Sequence, residues 1–159
     1  MELLLLRHAK AIGHDEGVPD FDRPLTSEGQ RQAERVGRLL AHRTLHPDVV
    51  ITSPAARALQ TAQLAAVALG VKASAITQDA RIYEGGPQVL AEILAHAVAT
   101  HKRPMLVGHN PGFEQLAIGL GTLNRGWEFP KGAAARFEVL DRSALRQGAG
   151  CRFVELLEP

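Results

Sequence analysis

Basic and imidazole side chains recur at three points of the sequence, each time just after a run of apolar residues. Arg7 and His8 follow four leucines, while Arg57 and His109 each follow a run rich in valine, isoleucine or leucine. Short, wholly apolar runs predict strands that are buried on both faces of a parallel sheet. Because the carboxyl ends of parallel strands meet at one edge of a sheet, we expect these four side chains to share a pocket.

A pocket that gathers guanidinium and imidazole groups fits a phosphoryl group. Arginine donates pairs of hydrogen bonds to phosphate oxygens. Helix starts predicted at Ser53 and Asn110 would add unpaired backbone N–H groups, which favour anions. Ser53 is explained better as a helix N-cap than as a nucleophile, and Asn110 caps its helix beside the second histidine. The predicted phosphate-binding residues are Arg7, Arg57, His109 and Asn110.

Each of these residues taken alone has a simpler explanation. A single histidine at a strand end, such as His109, is more often structural than catalytic, and Arg57 in the first turn of a helix could form a surface ion pair. For Arg7 and His8 the structural explanation is weaker, because a buried cation is costly unless it is paired. The combination of all four favours a functional pocket.

Alternating strand and helix signals predict an α/β fold, a three-layer α/β/α sandwich with a mostly parallel central sheet. Polar residues with glycine and proline predict a loop at 12–26. Helices are expected from Ser27 to about Thr44, from Ser53 and Pro54 to Gly70, from Pro87, and from Pro111, with Ser27 and Gln30 at capping-box spacing. Strands are expected at 3–6, 47–53, 74–78 and 105–107, with a hairpin or edge pair at 135–140 and 151–156.

Composition limits the class of protein. The chain has 159 residues, of which 45% are hydrophobic and 22% charged, and this predicts a single domain over 1–159. With a formal net charge of +1, the protein is expected to bind neither nucleic acid nor a membrane surface. One cysteine, Cys151, and an apolar N-terminal run too short for a signal peptide or an anchor predict a cytoplasmic protein. Oligomeric state is left open.

Four segments together carry a family resemblance. They are "LLLLRHAKA" at 3–11, "RPLTSEG" at 23–29, "SPAARALQTA" from Ser53 and "VGHNPG" from Val107. In this order they resemble the motifs of the histidine phosphatase superfamily, which has a phosphoglycerate mutase-like fold, although Ala9 replaces the usual glycine after the histidine. The short chain without large insertions is most similar to the SixA-type branch of phosphohistidine phosphatases.

The resemblance implies roles for the four pocket residues. His8 would attack phosphorus and form a phosphohistidine that water then hydrolyses. Arg7 and Arg57 would bind the phosphoryl oxygens and keep the nucleophile neutral by lowering its pKa, and His109 would complete this clamp. No metal or other cofactor is implied, because the arginines supply the positive charge.

The general acid that protonates the leaving group is the open position of this scheme. Glu84 in "RIYEGG" is the first candidate, since many members of the superfamily carry an acid near this point. It could equally be a solvated loop residue, and an imidazole leaving group could dispense with the acid. The further candidates, Asp15, Glu16, Asp20 and Asp22, are more simply explained as solvated or ion-paired.

Several residues near the expected pocket have two possible roles. Arg23 would contact substrate at the rim or form an ion pair with Asp20 or Asp22. Trp127 and Phe129 would line the pocket mouth or, as we favour, cover the core. Lys131 stands where the branch carries a small hydroxyl residue, so the segment 122–132 is expected to influence specificity. The remaining histidines have no metal-ligand spacing and are expected at the surface: His14, His42, His46, His96 and His101.

The leading hypothesis is a phosphatase that acts on phosphohistidine in a protein or on a small phosphate ester. One alternative is phosphotransfer of the phosphoglycerate mutase type, against which the absence of large insertions counts. The other is a phospho-ligand binding module without catalysis.

Overall fold

The computed structural model describes all 159 residues. Strands are β1 (Glu2–Arg7), β2 (Val49–Thr52), β3 (Ile76–Gln78), β4 (Pro104–Gly108), β5 (Ala134–Val139) and β6 (Cys151–Leu157). Helices are α1 (Ser27–His42), α2 (Ala56–Leu69), α3 (Arg81–Glu84), α4 (Pro87–Thr100) and α5 (Gly112–Gly121). No helix is long and apolar enough to cross a membrane.

The six strands form one mixed sheet in the order β3-β2-β4-β1-β5-β6. The first four in this order run parallel, and β5 and β6 are antiparallel at one side. Helices α1 and α2 pack with one face of the sheet, whereas α4 and α5 pack with the other. This confirms the predicted α/β sandwich with a mostly parallel sheet, including the edge pair at the end of the chain.

The leucine run of β1 explains how the sheet holds its two polar residues. Leu3 and Leu5 lie in the core beneath α4 and α5, whereas Leu4 and Leu6 lie in the core beneath α1 and α2, and all four are fully buried. Burial of each such side chain stabilises the fold by about 1.5–3 kcal/mol. The strand therefore fixes the position at which Arg7 and His8 leave the sheet.

The N-caps predicted for three helices are wrong by one or two residues. Thr26, not Ser27, is the N-cap of α1, and its hydroxyl accepts from the Gly29 N–H at 3.0 Å. Helix α2 begins at Ala56 rather than after Ser53, and α5 begins at Gly112 rather than after Asn110. Neither expected cap forms in the last two cases, since Ser53 Oγ bonds to His109 and Asn110 Oδ1 has no hydrogen-bond partner. The predicted stop at Gly70 is confirmed, in the left-handed conformation at φ 71°.

Candidate active site

A pocket of about 440 Å³ opens where the parallel strands end. Its wall comes from the ends of β1 and β4, the first turn of α2, the loop before α1 and the segment before β5. Five of the six predicted site residues line this pocket, whereas Glu84 does not. The five are Arg7, His8, Arg57, His109 and Asn110. The lining residues are Arg7, His8, Ala11, Ile12, Gly13, His14, Asp20, Arg23, Arg57, His109, Asn110 and Lys131.

His8 is held as a neutral imidazole with a defined proton. Its Nδ1 lies 2.7 Å from the carbonyl oxygen of Ala9, and since a carbonyl only accepts, Nδ1 carries the hydrogen and donates it. Burial lowers the pKa of His8 to about 3, with further lowering by His109, Arg57 and Arg7. The lone pair of Nε2 is therefore available as a nucleophile at neutral pH.

His109 faces His8 with its ring centroid 5.2 Å away. Its Nε2 lies 2.8 Å from the hydroxyl of Ser53, which also accepts from the Ala55 N–H at 3.2 Å. This bond engages Nε2 of His109 and leaves its Nδ1 buried without a hydrogen-bond partner. Burial, followed by the charge of Arg57, lowers the pKa of His109 to about 4. Ser53 is therefore a partner of His109 and not the predicted N-cap.

Arg57 is buried in the first turn of α2 and is paired directly with Asp20. Its Nη1 donates to the Asp20 backbone carbonyl at 2.7 Å and its Nη2 to the carboxylate at 3.2 Å. The same carboxylate accepts from Arg23 at 2.9 Å and from the Tyr83 hydroxyl at 2.6 Å. The Tyr83 hydroxyl above all, and then the two guanidinium groups, hold the pKa of Asp20 well below its usual range. Asp20 therefore stays ionised, and Arg23, which lines the pocket, forms the predicted ion pair with Asp20.

Arg7 is half buried and has no carboxylate partner within ion-pair distance. Its Nη1 donates to the Phe129 carbonyl at 2.7 Å, and burial lowers its pKa. Asn110, expected as an N-cap, instead donates from Nδ2 to Glu114 at 3.2 Å and to the same Phe129 carbonyl at 3.3 Å. Phe129 itself is buried, with Trp127 packed on it at 5.3 Å between ring centroids, which confirms that the two rings cover the core.

Unsatisfied polar groups are concentrated at this pocket. The buried side-chain nitrogen and oxygen atoms without a hydrogen-bond partner belong to four lining residues: Arg7 Nε, Arg57 Nε, His109 Nδ1 and Asn110 Oδ1. A buried polar group without a partner costs about 1–3 kcal/mol, so folding alone does not favour this arrangement. The cost is typical of a site built to bind a polar ligand.

Glu84 does not reach the pocket, because it is the last residue of α3 and its side chain is exposed. Of the other acidic candidates only Asp20 lines the pocket. Lys131 lies at the rim as predicted, and so does His14, which is exposed as expected of a surface residue. No group of three or more histidine, cysteine, aspartate or glutamate side chains could hold a metal ion.

Sequence reasoning missed three residues that support the site: Asp20 as the partner of Arg57, Tyr83 as the partner of Asp20, and Glu114. Asp20 was considered as a proton donor, a solvated group or an ion-pair partner of Arg23, but not as the partner of Arg57. Glu114 carried one signal, since it stands four residues after Asn110, the spacing at which side chains meet on a helix.

The fold and the pocket together define a class of enzymes, and comparison with known proteins identifies it. The sequence model of the histidine phosphatase superfamily (branch 1) matches residues 3–105. The chain therefore belongs to the histidine phosphatase superfamily, whose structural relatives place it in the SixA-type branch. This membership supports phosphatase or phosphotransfer activity.

Three relatives show how far the similarity extends. The structure of a protein assigned as the phosphohistidine phosphatase SixA from Agrobacterium tumefaciens has a TM-score of 0.81 and 28% identity, covering 99% of this chain and 97% of that one. An uncharacterized protein of Picosynechococcus sp. is 33% identical over 74% of this chain and 71% of its own length. A 2,3-bisphosphoglycerate-dependent phosphoglycerate mutase of Thermobifida fusca is 37% identical over 52% of this chain, which spans only 34% of the mutase.

Proposed function

We propose that this chain is a phosphatase that hydrolyses phosphohistidine in a protein, through a phosphohistidine intermediate on His8. One observation carries the proposal: the pocket presents a neutral imidazole beside two arginines, while its one lining carboxylate, Asp20, is held ionised. The similarity to a protein assigned as SixA supports the same substrate class.

In the first step, Nε2 of His8 forms a bond to phosphorus as the bond from phosphorus to the substrate nitrogen breaks. The Nδ1–H of His8 keeps its hydrogen bond to the Ala9 carbonyl, which stabilises the positive charge that develops on the ring. Arg7, Arg57 and His109 bind the phosphoryl oxygens, whose charge is redistributed in the transition state.

The leaving group decides between substrate classes. An alkoxide needs a proton from the enzyme, and the pocket wall contains no carboxyl group that is protonated at neutral pH. The imidazole of phosphohistidine can instead take a proton from solvent on its distal ring nitrogen, so that it departs as neutral imidazole. This site therefore favours cleavage of a P–N bond over hydrolysis of an alkyl phosphate.

In the second step, water attacks phosphorus of the intermediate and the bond to Nε2 of His8 breaks. Orthophosphate and a proton are released, and His8 returns to its neutral form with the hydrogen still on Nδ1. The open pocket gives water access to the intermediate, which favours hydrolysis over the retention of the phosphoryl group that a mutase requires.

The proposal is tested with one peptide prepared in two forms, phosphohistidine and phosphoserine, together with an aryl phosphate whose leaving group needs no acid. We expect kcat/KM for the phosphohistidine peptide to exceed that for the phosphoserine peptide by about 100-fold or more. The His8→Ala variant is the control for contaminating phosphatase.

Equal or faster hydrolysis of the phosphoserine peptide would show that an acid operates in the site, and the P–N preference would be wrong. Binding of phosphate without release from any of the three substrates would instead indicate the non-catalytic module.

A further inference from the structure

Glu114 takes no part in these steps and does not line the pocket, yet it joins two segments of the site. It lies in the first turn of α5, with its side chain partly buried. Its Oε2 accepts from the backbone N–H of Phe129 at 2.8 Å and from Nδ2 of Asn110 at 3.2 Å. One carboxylate oxygen therefore holds the residue after His109 and the segment before β5.

The same contacts continue to Arg7. The Phe129 carbonyl accepts from Arg7 Nη1 at 2.7 Å and from Asn110 Nδ2 at 3.3 Å. Glu114 fixes the peptide on one side of Phe129, and Arg7 bonds to the peptide on its other side. Glu114, Asn110 and Phe129 thus form a closed set of hydrogen bonds that presents one carbonyl to Arg7.

The side chain of Phe129 leaves this carbonyl little freedom. It is 1% exposed and packs between Trp127 and Phe113, with ring centroids 5.3 and 6.5 Å away. Because the ring is anchored in the core, the backbone bond to Glu114 decides the direction of the flanking peptides. The direction of the carbonyl in turn fixes the guanidinium group of Arg7.

Glu114 also supplies charge without occupying the donors of Arg7. The two side chains form no ion pair within 4.0 Å, but the negative charge of Glu114 favours the charged form of Arg7 against the lowering of its pKa by burial. Asp20, in contrast, bonds directly to Arg57. The carboxylate of Glu114 therefore offsets part of the lowering of the pKa of Arg7 without bonding to it. The other N–H groups of Arg7 stay available for a ligand.

We infer that Glu114 is a positioning residue that orients Arg7 for phosphoryl binding through the Phe129 carbonyl. The inference rests on the proposed function, because it assumes that Arg7 binds the phosphoryl group. It makes the segment 122–133, which joins α5 to β5, a part of the phosphate site.

The test is the affinity for inorganic phosphate, measured by ³¹P NMR titration, which needs no turnover. Glu114→Ala should weaken phosphate binding about tenfold, since a charge-assisted hydrogen bond is lost. Glu114→Gln should weaken it about threefold, because the amide oxygen still accepts from Phe129 while the charge is gone. The matched control is Glu128→Gln, which removes an exposed charge one residue from Phe129 without a bond to it.

A double-mutant cycle with Arg7→Ala separates positioning from a general structural effect. If Glu114 acts through Arg7, Glu114→Ala should change phosphate affinity less than twofold in the Arg7→Ala background. An equal loss in both backgrounds would overturn the inference, as would a Glu114→Ala variant that binds phosphate like the control. If Glu114→Ala does not fold, the near-isosteric Glu114→Gln variant decides by the same cycle.

This design also separates the inference from the proposed function. Coupling between Glu114 and Arg7 in phosphate binding, without hydrolysis of the phosphohistidine peptide, would uphold the positioning role and refute the phosphatase. Hydrolysis of the phosphohistidine peptide without coupling between Glu114 and Arg7 would support the phosphatase and refute the positioning role.

Discussion

The two edges of the parallel sheet are both rich in arginine, but they use it differently. At the edge where the strands begin, Glu2 accepts from Arg103 at 2.7 Å and also from Arg136, which bonds to Glu155 at 3.0 Å. Glu155 in turn pairs with Arg43. Here every arginine named has a carboxylate partner, and the concavity at this edge, about 610 Å³, is larger than the pocket at the opposite edge.

At the edge where the strands end, Arg7 has no carboxylate partner and Asp20 alone serves both Arg23 and Arg57. The unsatisfied buried polar atoms lie at this edge. The difference shows that the larger cavity is not the candidate active site. Charges that are already paired stabilise the fold, whereas incompletely paired ones remain available for a ligand.

The largest effect should follow from removal of the nucleophile. His8→Ala should lower kcat/KM for the phosphohistidine peptide by at least about 1000-fold, because the nucleophile that forms the proposed covalent intermediate is lost. Brief incubation of the unaltered protein with a labelled substrate should place an acid-labile, alkali-stable phosphoryl group on His8. Label on another residue, or turnover by the variant, would contradict the assigned role.

Arg7→Ala should separate activity from stability at the pocket edge. We expect kcat/KM to fall about 100-fold or more, because a cation that stabilises the transition state is lost. The free energy of unfolding should change by less than about 1 kcal/mol, because Arg7 has an unsatisfied Nε and no direct ion pair. Urea denaturation and steady-state kinetics on one preparation measure both; a large loss of stability would show that this edge is not specialised for binding.

Glu2→Gln should give the opposite result at the other edge. Loss of this charge leaves Arg103 and Arg136 without their shared partner, and we expect a loss of about 2 kcal/mol, reduced from the value for a buried pair because Glu2 is partly exposed. The kcat/KM value should stay within about twofold of the unaltered protein, since the pocket lies at the far ends of the strands. Glu92→Gln, at an exposed site on α4, is the control. If Glu2→Gln instead lowered activity and left stability unchanged, the distinction between the two edges would be wrong.

The sequence predicts the floor of the pocket better than its wall. Arg7, His8 and His109 come directly after buried strands, so apolar pattern and sheet geometry place them together. Arg57 is predictable because it follows a strand within one helical turn. These positions depend on local pattern and on one general rule of topology.

The wall depends on contacts between distant segments, which no local pattern encodes. Asp20 meets Arg57 only because the loop before α1 folds over α2, and Phe129 meets Arg7 across 122 residues of chain. Local pattern also did not predict that Ser53 bonds to His109 and that Asn110 bonds to Glu114. Serine and asparagine commonly cap helices, but here Ser53 and Asn110 bond to other side chains at the site.

The smallest expected effect is on the pH dependence of the free energy of unfolding. The two edges of the sheet should lose stability in different pH ranges. The pKa of His8 is lowered from 6.5 to about 3 and that of His109 to about 4. Between pH 6.5 and 4.5 the unfolded chain therefore binds protons that the folded pocket does not, and stability falls as pH falls. Each histidine should contribute up to about 1.4 kcal/mol per pH unit in this range.

At the opposite edge the pKa of Glu2 is lowered from 4.5, so its contribution is lost only below that pH. Urea denaturation of the unaltered protein and of His8→Ala at pH 6.5, 5.5 and 4.5 should show a slope about 1 kcal/mol per pH unit smaller in the variant. Glu2→Gln should leave the slope in this range unchanged. Equal slopes for His8→Ala and the unaltered protein would mean that folding leaves the pKa of His8 near 6.5, so that the pocket would not be what keeps the nucleophile neutral.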